Sequence, residues 1–307
     1  LPPCEAAGGW PGLKEFSKTA RELGYVFALH DQYRDFYYSS PVFDMEKAVT
    51  KIDGSHPYCS VWDGGEHTFL CASQAPAFVQ KTYDELEKHG VDVQGAYLDV
   101  FSVVNGDECF HPDHKITRKQ SIEYRAKCFD LLNDRGMIMS SEEPAMQLLN
   151  HIALVHHGPF TLRPQENGKA VGIPVPLANL VYHDCVLIPW NWFNNWGIPK
   201  GDNGDLYCAL NAGMPYINPF GTGIRKIGSD SRGAELELLD ESKLKEEIAR
   251  VKPLMQLQAK LYNKEMVKHE FFGSLRCQKS TYSDGTVITV DLDKNTYEVK
   301  EGNHAQA

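Results

Sequence analysis

Two short runs constrain the fold of this chain more than any other feature. GAYLDVF at residues 95–101 and GMIMSSEEP at residues 136–144 each have the composition of a buried strand that ends in a carboxylate. An amphipathic, helix-like segment at residues 117–134 lies between them. A strand, a helix and a second strand in this order are typical of parallel pairing, which needs a long crossover connection. We therefore predict that both carboxylates lie at the same edge of one parallel sheet.

Strand-like and helix-like segments alternate along most of the chain, which indicates an α/β fold. We predict a (β/α)8-type barrel (TIM barrel), whose functional residues gather at the carboxyl ends of the strands. Only five or six strand signals are present, so we expect the ring to be incomplete at its N-terminal side. A doubly wound sheet is the competing architecture, but no glycine-rich phosphate-binding motif follows a strand. The helices are predicted at residues 11–23, 75–89, 117–134, 145–156 and 239–263, with strands at 25–30 and 183–190 and a hairpin at 57–72.

The last part of the chain has a different character. Residues 276–282 and 286–292 are predicted to form a hairpin around Ser283-Asp284-Gly285, followed by a strand at 296–299. We therefore predict two domains, a barrel at residues 1–263 and a small antiparallel β module, a partial β-sandwich, at residues 264–307.

Charge and composition exclude several classes of partner. The chain of 307 residues carries 31 basic and 41 acidic residues, a net charge of −10. Without a basic patch, nucleic acid and anionic membranes are not expected partners. No run approaches the ~20 apolar residues of a membrane span, and residues 1–4 do not begin a secretory signal peptide. The eight cysteines form no CxxC pair, so neither a zinc ribbon nor a disulfide framework is predicted, and no metal or cofactor is expected.

Two carboxylates at the ends of neighbouring strands are suited to cleaving a glycosidic bond, one as nucleophile and one as acid/base. Asp99 is the predicted nucleophile, and Glu142 the predicted acid/base. Glu143 is the alternative acid/base, disfavoured because it precedes Pro144 and could open the next helix. A competing interpretation is that these carboxylates only cap the following helices.

Other polar and aromatic residues at predicted strand ends are candidates for holding a sugar, through hydrogen bonds to its hydroxyls or stacking on its faces. Tyr97 lies on the same side of its strand as Asp99 by two-residue alternation. The tryptophans could instead pack in the core, and His30 could be a buried structural histidine. The predicted substrate-binding residues are His30, Asp31, Tyr33, Arg34, Tyr97, His183, Asp184, Trp190, Trp192 and Asn211.

Two other functions stay open. A sugar-binding protein, or a barrel without catalysis, would carry the same polar strand ends. A metal-dependent hydrolase could use His30, Asp31, His183 and Asp184. The loop residues His111, Asp113 and His114 are a weak metal signal, because they lack a complete ligand set in one motif.

Four motifs resemble a known group of enzymes. YLDVFS at residues 97–102, MSSEEP at 139–144, GYVFALHDQY at 24–33 and STYSDGTVITV at 280–290 are similar to retaining glycoside hydrolases of the α-N-acetylgalactosaminidase type. The similarity is greatest to glycoside hydrolase family 129 and its bacterial relatives, with endo-α-N-acetylgalactosaminidases more distant. It covers roughly residues 10–295.

The resemblance implies a distorted (β/α)8 barrel followed by a β-sandwich-like domain. It also implies hydrolysis of α-linked N-acetylgalactosamine with retention, on an oligosaccharide or glycoconjugate, with another α-linked sugar such as galactose as the alternative. The family's nucleophile maps onto Asp99 and its acid/base onto Glu142. A periplasmic or extracellular location is slightly favoured by the same resemblance. The sequence makes no prediction of oligomeric state.

Overall fold

The computed structural model describes residues 2–62, 64–142, 145–156, 175–190, 204–215 and 240–302. The chain divides into two compact units, Leu1–Ala153 and Leu154–Ala307.

The first unit combines helices with two small sheets. The predicted helices at 11–23, 75–89 and 117–134 are confirmed within a few residues, as is the hairpin at 57–72. In chain order the elements are α1 (Gly9–Glu22), β1 (Ala28–Asp31), β2 (Asp35–Tyr37), β3 (Ser60–Trp62), β4 (Gly65–Phe69), α2 (Ala75–Lys88), β5 (Gly95–Leu98), α3 (Arg118–Asn133) and β6 (Ile138–Ser141).

Strands β1, β5 and β6 pair side by side in parallel, as the strand–helix–strand pattern predicts. The register places Tyr97 of β5 opposite His30 of β1 and Ser140 of β6. A glycine is needed at the start of β5, because a Cβ on Gly95 would lie 2.8 Å from the carbonyl oxygen of Ile138. The carboxyl ends of all three strands therefore meet at one edge of the sheet.

The helices α2 and α3 pack together and present regular apolar faces. In α2 the buried positions Ala75, Val79, Tyr83 and Leu86 recur at helical spacing. Thr117 caps α3 in a capping box with Gln120, which satisfies two of the free amide groups at that end. This cap fixes where the loop after β5 ends and α3 begins.

A second, antiparallel sheet follows β1, with β4 between β2 and β3. The short strand β2 was not predicted from the sequence. Its three residues are flanked by Tyr33, Arg34 and Tyr38, and this mixture of charged and aromatic residues carries no clear two-residue alternation.

A buried ion network holds the loop after β5. Arg125 of α3 is almost fully buried and donates hydrogen bonds to the carbonyl oxygens of Val104 and Asn105 at 2.8 and 3.1 Å. Its Nη2 also donates to Asp107 at 2.9 Å, and the same carboxylate accepts two hydrogen bonds from Arg34 at 3.0 and 3.1 Å. Because buried charges are tolerated only when they are paired, these contacts fix the loop between β5 and α3.

The second unit contains a short parallel pair and a larger antiparallel sheet. Its elements are β7 (Leu154–Val155), α4 (Leu177–Tyr182), β8 (Pro189–Trp190), α5 (Gly204–Leu210), β9 (Met214–Pro215), α6 (Glu241–Leu261), β10 (Met266–Phe272), β11 (Ser274–Tyr282), β12 (Val287–Asp291) and β13 (Thr296–Lys300). β8 and β9 are parallel, while β10 to β13 form an antiparallel sheet in chain order.

The antiparallel sheet shares one core with α5 and α6. Leu210 of α5, Leu261 of α6 and Ile288 of β12 are all buried in it. The hairpin and last strand predicted for the tail are confirmed, and β10 is an additional strand. The structure is thus mixed α/β with a parallel sheet and a separate antiparallel sheet. The closed barrel and the domain boundary at residue 263 stay predictions.

Two predicted elements were wrong. Residues 145–156 form a 3₁₀ turn at Leu149–His151 followed by the extended β7, rather than a helix. Leu148, Leu149, Ile152 and Val155 are buried, and their helix-like spacing suits a turn that leads into extended chain equally well. Residues 183–190 are a strand only at Pro189–Trp190, because a turn at residues 183–185 follows directly on α4.

No helix in the described part of the chain is both long and apolar enough to cross a membrane.

Replacing Arg125 by Met should destabilise the protein by about 3 kcal/mol, because the carbonyl groups of Phe101, Val104 and Asn105 lose their donor and Asp107 loses one of its two guanidinium partners. Urea unfolding followed by circular dichroism measures this difference. Arg118→Met on the same helix is the matched control. Its exposed pair with Glu108 should contribute no more than about 1 kcal/mol. Equal effects of the two substitutions would contradict the role assigned to the buried network.

Candidate active site

Asp99 is the first residue after β5, at the edge where the three parallel strands end. Its backbone amide donates a hydrogen bond to the carbonyl oxygen of Asp31 at 2.8 Å, which continues the pairing with β1. The next residue, Val100, has a φ of 55°. That left-handed conformation is costly for a β-branched side chain, so the chain turns sharply and under strain directly after Asp99.

Two aromatic side chains contact the carboxylate of Asp99. The hydroxyl of Tyr97 donates to Oδ1 at 3.0 Å, and Nε2 of His30 lies 3.6 Å from Oδ2. The His30 ring meets the Tyr97 ring edge-on, with 4.5 Å between their centroids. The structure therefore brings together three of the predicted site residues, His30, Tyr97 and Asp99.

The charges of His30 and Asp99 support each other. Burial acts to raise the pKa of Asp99, but the interactions with His30 and Tyr97 outweigh it, and the pKa lies below the ordinary 3.8. Asp99 in turn raises the pKa of His30 above the ordinary 6.5, against a partial desolvation of the ring, although the His30 side chain is 65% exposed. Asp99 therefore stabilises the fold above pH 3.8 and loses this contribution as the pH falls through its lowered pKa. His30 contributes below pH 6.5 and loses its contribution as the pH rises through its raised pKa.

Glu142 follows β6 directly and is half-buried, with its Oε2 shielded from solvent. Its negative charge is one of the smaller effects that raise the pKa of His30, which puts it within electrostatic reach of the His30–Asp99 pair. Tyr97 of β5 lies opposite Ser140 of β6. Asp99 and Glu142 each lie two residues beyond this pair, so they occupy matching positions at the ends of neighbouring strands. Such positions lie on the same side of a pleated sheet, and neighbouring strands are ~4.8 Å apart. Glu143, the alternative acid/base, lies outside the described residues.

Ser141 ties the ends of β5 and β6 together. Its hydroxyl donates to the carbonyl oxygen of Leu98 at 2.6 Å and accepts from the amide of Ser102 at 3.3 Å. The side chain is fully buried. This link holds the turn that contains Asp99 against the strand that leads to Glu142. Ser141 was not among the predicted site residues, although a pair of serines at the end of an apolar strand was a signal.

The carboxylate of Asp31, at the end of β1, is held by a hydrogen bond from helix α2. Tyr83 of α2 donates to its Oδ2 at 2.6 Å. Burial raises the pKa of Asp31, and the hydrogen bond from Tyr83 opposes that rise. Burial also raises the pKa of Tyr33. Tyr83 was missed from the sequence, because a tyrosine at a helical core position resembles ordinary packing.

Arg34, a predicted sugar contact, binds a carboxylate of the loop after β5. Its guanidinium makes the two hydrogen bonds to Asp107 and lies 3.5 Å above the ring of Phe69. Its side chain is only 14% exposed. These contacts favour a structural role for Arg34 in the loop network.

His183, Asp184 and Asn211 belong to the second unit. Nδ1 of His183 lies 2.7 Å from the carbonyl oxygen of Lys264, and Nε2 lies 3.1 Å from that of Asn211. Both ring nitrogens thus face protein carbonyls, and burial lowers the pKa of the ring. The Asn211 side chain is buried and donates to the carbonyl oxygen of Tyr207. This packing favours structural roles for His183 and Asn211, while Asp184 is exposed.

Two of the predicted sugar contacts are the tryptophans Trp190 and Trp192. The backbone of Trp190 forms part of β8, but its side chain and the whole of Trp192 lie outside the described residues. Their contact with a sugar stays a prediction.

In the Asp99→Asn variant, the pKa of His30 should fall, because the largest interaction that raises it is lost. Histidine ring signals followed by NMR across pH 4–9 measure this value. Glu142→Gln is the matched control and should lower the pKa of His30 by a smaller amount. The signal of His183, held in the second unit, serves as an internal reference and should titrate below 6.5 in all variants. An unchanged pKa of His30 in Asp99→Asn would refute the ion pair.

Comparison with known proteins gives similarity at two levels. No family model and no curated protein matches the chain. Among solved structures, α-N-acetylgalactosaminidase NagBb from Bifidobacterium bifidum, in complex with GalNAc, is 36% identical with a TM-score of 0.84. The match covers 98% of this chain and 46% of that one. The same protein in complex with Gal-NHAc-DNJ is 35% identical, with a TM-score of 0.82 and coverage of 99% and 47%.

A more distant likeness shows the fold alone. The GH36 α-galactosidase AgaA from Geobacillus stearothermophilus is 10% identical with a TM-score of 0.51, over 91% of this chain and 38% of that one. The chain spans about half the length of the NagBb structures. Nearly all of it is therefore similar to about half of an α-N-acetylgalactosaminidase, which is a glycoside hydrolase.

Proposed function

We propose that this chain carries the active site of a retaining α-glycosidase that acts on α-linked N-acetylgalactosamine. The observation that carries the proposal is the charged Asp99, held by His30 and Tyr97 at a strand edge where Glu142 ends the neighbouring strand. The similarity to NagBb, solved with GalNAc bound, supports the choice of sugar. The sequence motifs around both carboxylates point to the same chemistry.

Asp99 is the nucleophile in this proposal. A nucleophilic carboxylate must be ionised, and the interactions that lower the pKa of Asp99 keep it so. The Tyr97 hydroxyl and the His30 ring also hold the carboxylate in one orientation. In the first step an Asp99 oxygen attacks the anomeric carbon and forms a covalent glycosyl-enzyme, while the bond to the leaving oxygen breaks.

Glu142 is the acid/base. In the first step it gives its proton to the departing glycosidic oxygen, and in the second it takes a proton from the water that releases the sugar from Asp99. Retention requires the two carboxyl groups to be ~5–5.5 Å apart. Directly opposed positions on neighbouring strands, ~4.8 Å apart, are consistent with that separation.

His30 sets the electrostatics of the site rather than reacting. When protonated it stabilises the negative charge of Asp99, and it also lies within reach of the charge of Glu142. Loss of the His30 charge at high pH would leave Asp99 without its nearest positive partner. The activity should therefore depend on the protonation of His30, next to the nucleophile, as well as on that of the acid/base.

Asp99→Asn should lower hydrolysis of aryl α-N-acetylgalactosaminides by ~10³-fold or more, because an amide cannot attack the anomeric carbon. Glu142→Gln should lower kcat by ~10²- to 10⁴-fold for poor leaving groups, which need a proton. The measurement is release of the aryl alcohol, with NMR of the first-formed anomer in the wild type.

Asp92→Asn is the matched control for the first variant, since Asp92 precedes β5 and pairs with Arg21 on the surface. It should keep wild-type activity. Full activity in Asp99→Asn, or a first-formed β-anomer from the wild type, would overturn the proposed mechanism. Sugar binding without any hydrolysis by the wild type would favour a binding function.

Reaction with azide should distinguish the nucleophile from the acid/base. In Asp99→Ala the small anion enters the space left by the carboxylate and attacks the anomeric carbon directly, giving the inverted glycosyl azide. In Glu142→Ala azide attacks the covalent intermediate in the second step and gives the retained product. NMR of the glycosyl azides distinguishes these outcomes. Products of the opposite configurations would exchange the roles assigned to the two residues.

A further inference from the structure

A compact group of metal-ligating side chains lies in the first unit, apart from the carboxylates. Sγ of Cys71, Sγ of Cys109 and a ring nitrogen of His114 all lie within 4.8 Å of one another. Both cysteines are fully buried and His114 is half-buried. We propose that Cys71, Cys109 and His114 form a binding site for Zn²⁺, with solvent as the fourth ligand. The proposal is independent of the glycosidase function.

The spacing of the ligand atoms suits a tetrahedral metal. With Zn–S bonds of ~2.3 Å and Zn–N bonds of ~2.0 Å, a tetrahedral angle separates sulfur and nitrogen by about 3.5 Å. Nδ1 of His114 lies 3.4 Å from Sγ of Cys109. A metal ion can therefore enter between these atoms with little movement of the chain.

A hydrogen bond from the second ring nitrogen of His114 fixes the orientation of the ring. Nε2 lies 2.8 Å from the carbonyl oxygen of Glu46, an acceptor, so Nε2 carries the hydrogen and Nδ1 of the neutral ring has a free lone pair. Histidines that bind metals commonly donate their other N–H in this way. The nearby His111 is different, because its Nδ1 accepts from the amide of Asp113 and its Nε2 faces the carboxylate of Glu46.

A hydrogen-bond donor also lies close to each sulfur. The amide of Thr50 donates to Sγ of Cys109 at 3.4 Å, and the hydroxyl of Ser73 lies 3.3 Å from Sγ of Cys71. Two thiolates neutralise the charge of a divalent cation, which lowers the cost of burying it. Thiolate and imidazole ligands favour Zn²⁺ over the oxygen-preferring Mg²⁺ and Ca²⁺.

The site would fasten the loop that follows Asp99. Cys71 comes shortly after β4, whereas Cys109 and His114 lie in the loop between β5 and α3. Cys109 also pairs with Ile116 through two backbone hydrogen bonds of 3.0 Å, so His114 lies inside a closed turn. A metal at this point would cross-link two segments that are far apart in sequence.

Binding releases protons. Each cysteine loses its S–H proton to solvent as the Zn–S bond forms, and no oxidation takes place. Because each thiol must lose its proton to bind the metal, the affinity should fall by up to about tenfold per thiol for each unit by which the pH is lowered.

The test is metal binding by the chelator-stripped full chain under reducing conditions. The wild type should take up one equivalent of Zn²⁺, and Co²⁺ in its place should give the absorption of a sulfur-to-cobalt charge transfer. Cys109→Ser and His114→Gln should weaken Zn²⁺ binding by more than ~100-fold, since even the loss of a group that only orients a ligand costs 10- to 100-fold. The matched controls Cys59→Ser and His111→Gln should keep one equivalent.

A second measurement uses only the wild-type protein, so its result does not depend on whether the variants fold. Zn²⁺ should slow alkylation of Cys71 and Cys109, mapped by peptide mass spectrometry, and leave the exposed Cys59 unchanged. The proposal is overturned if Co²⁺ gives no thiolate absorption, if Zn²⁺ protects neither buried cysteine, or if the control variants lose the metal equally.

Discussion

The parallel pairing of β1, β5 and β6 is the constraint on which the candidate site depends. Backbone hydrogen bonds fix its register, with Tyr97 between His30 and Ser140. Since side chains alternate along a strand, a slip of one residue would move Asp99 or Glu142 to the opposite face. Close packing at Gly95 and the buried hydroxyl of Ser141 both act against such a slip.

The pKa values of the carboxylates at this edge depend on the side chains that contact them as well as on burial. Asp99 and Asp31 end neighbouring strands, yet their pKa values shift in opposite directions. Asp99 has the imidazole of His30 beside it, which favours the ionised carboxylate. For Asp31 burial is the largest effect, and the neutral hydroxyl of Tyr83 only partly offsets it. One edge thus holds two carboxylates with distinct electrostatic behaviour, a condition that acid/base chemistry commonly requires.

The loop after β5 is secured independently. Arg125 and Arg34 meet at Asp107, so Asp107 lies between two cations. Arg125 also donates to the backbone carbonyl oxygens of Val104 and Asn105 in the loop. The proposed zinc site would fasten the same loop nearer its C-terminal end, through Cys109 and His114. Because Val100 adopts a costly conformation, the turn at Asp99 needs such support from the chain on either side of it.

Local pattern was enough to predict the strand–helix–strand unit around Asp99 and Glu142, because the spacing of apolar residues reports burial and a long crossover implies parallel strands. It was not enough at residues 145–156 and 183–190, where short apolar runs fit a helix, a strand or a turn equally well. The contacts of Arg34, Tyr83 and His183 could not be predicted from the sequence either. Each is decided by a partner far away in the sequence, Asp107, Asp31 and Lys264 respectively. The sequence by itself determined which residues end the strands. Only the tertiary structure decided which of them share an edge and which are held by distant partners, because hydrogen bonds and charges act across space and not along the chain.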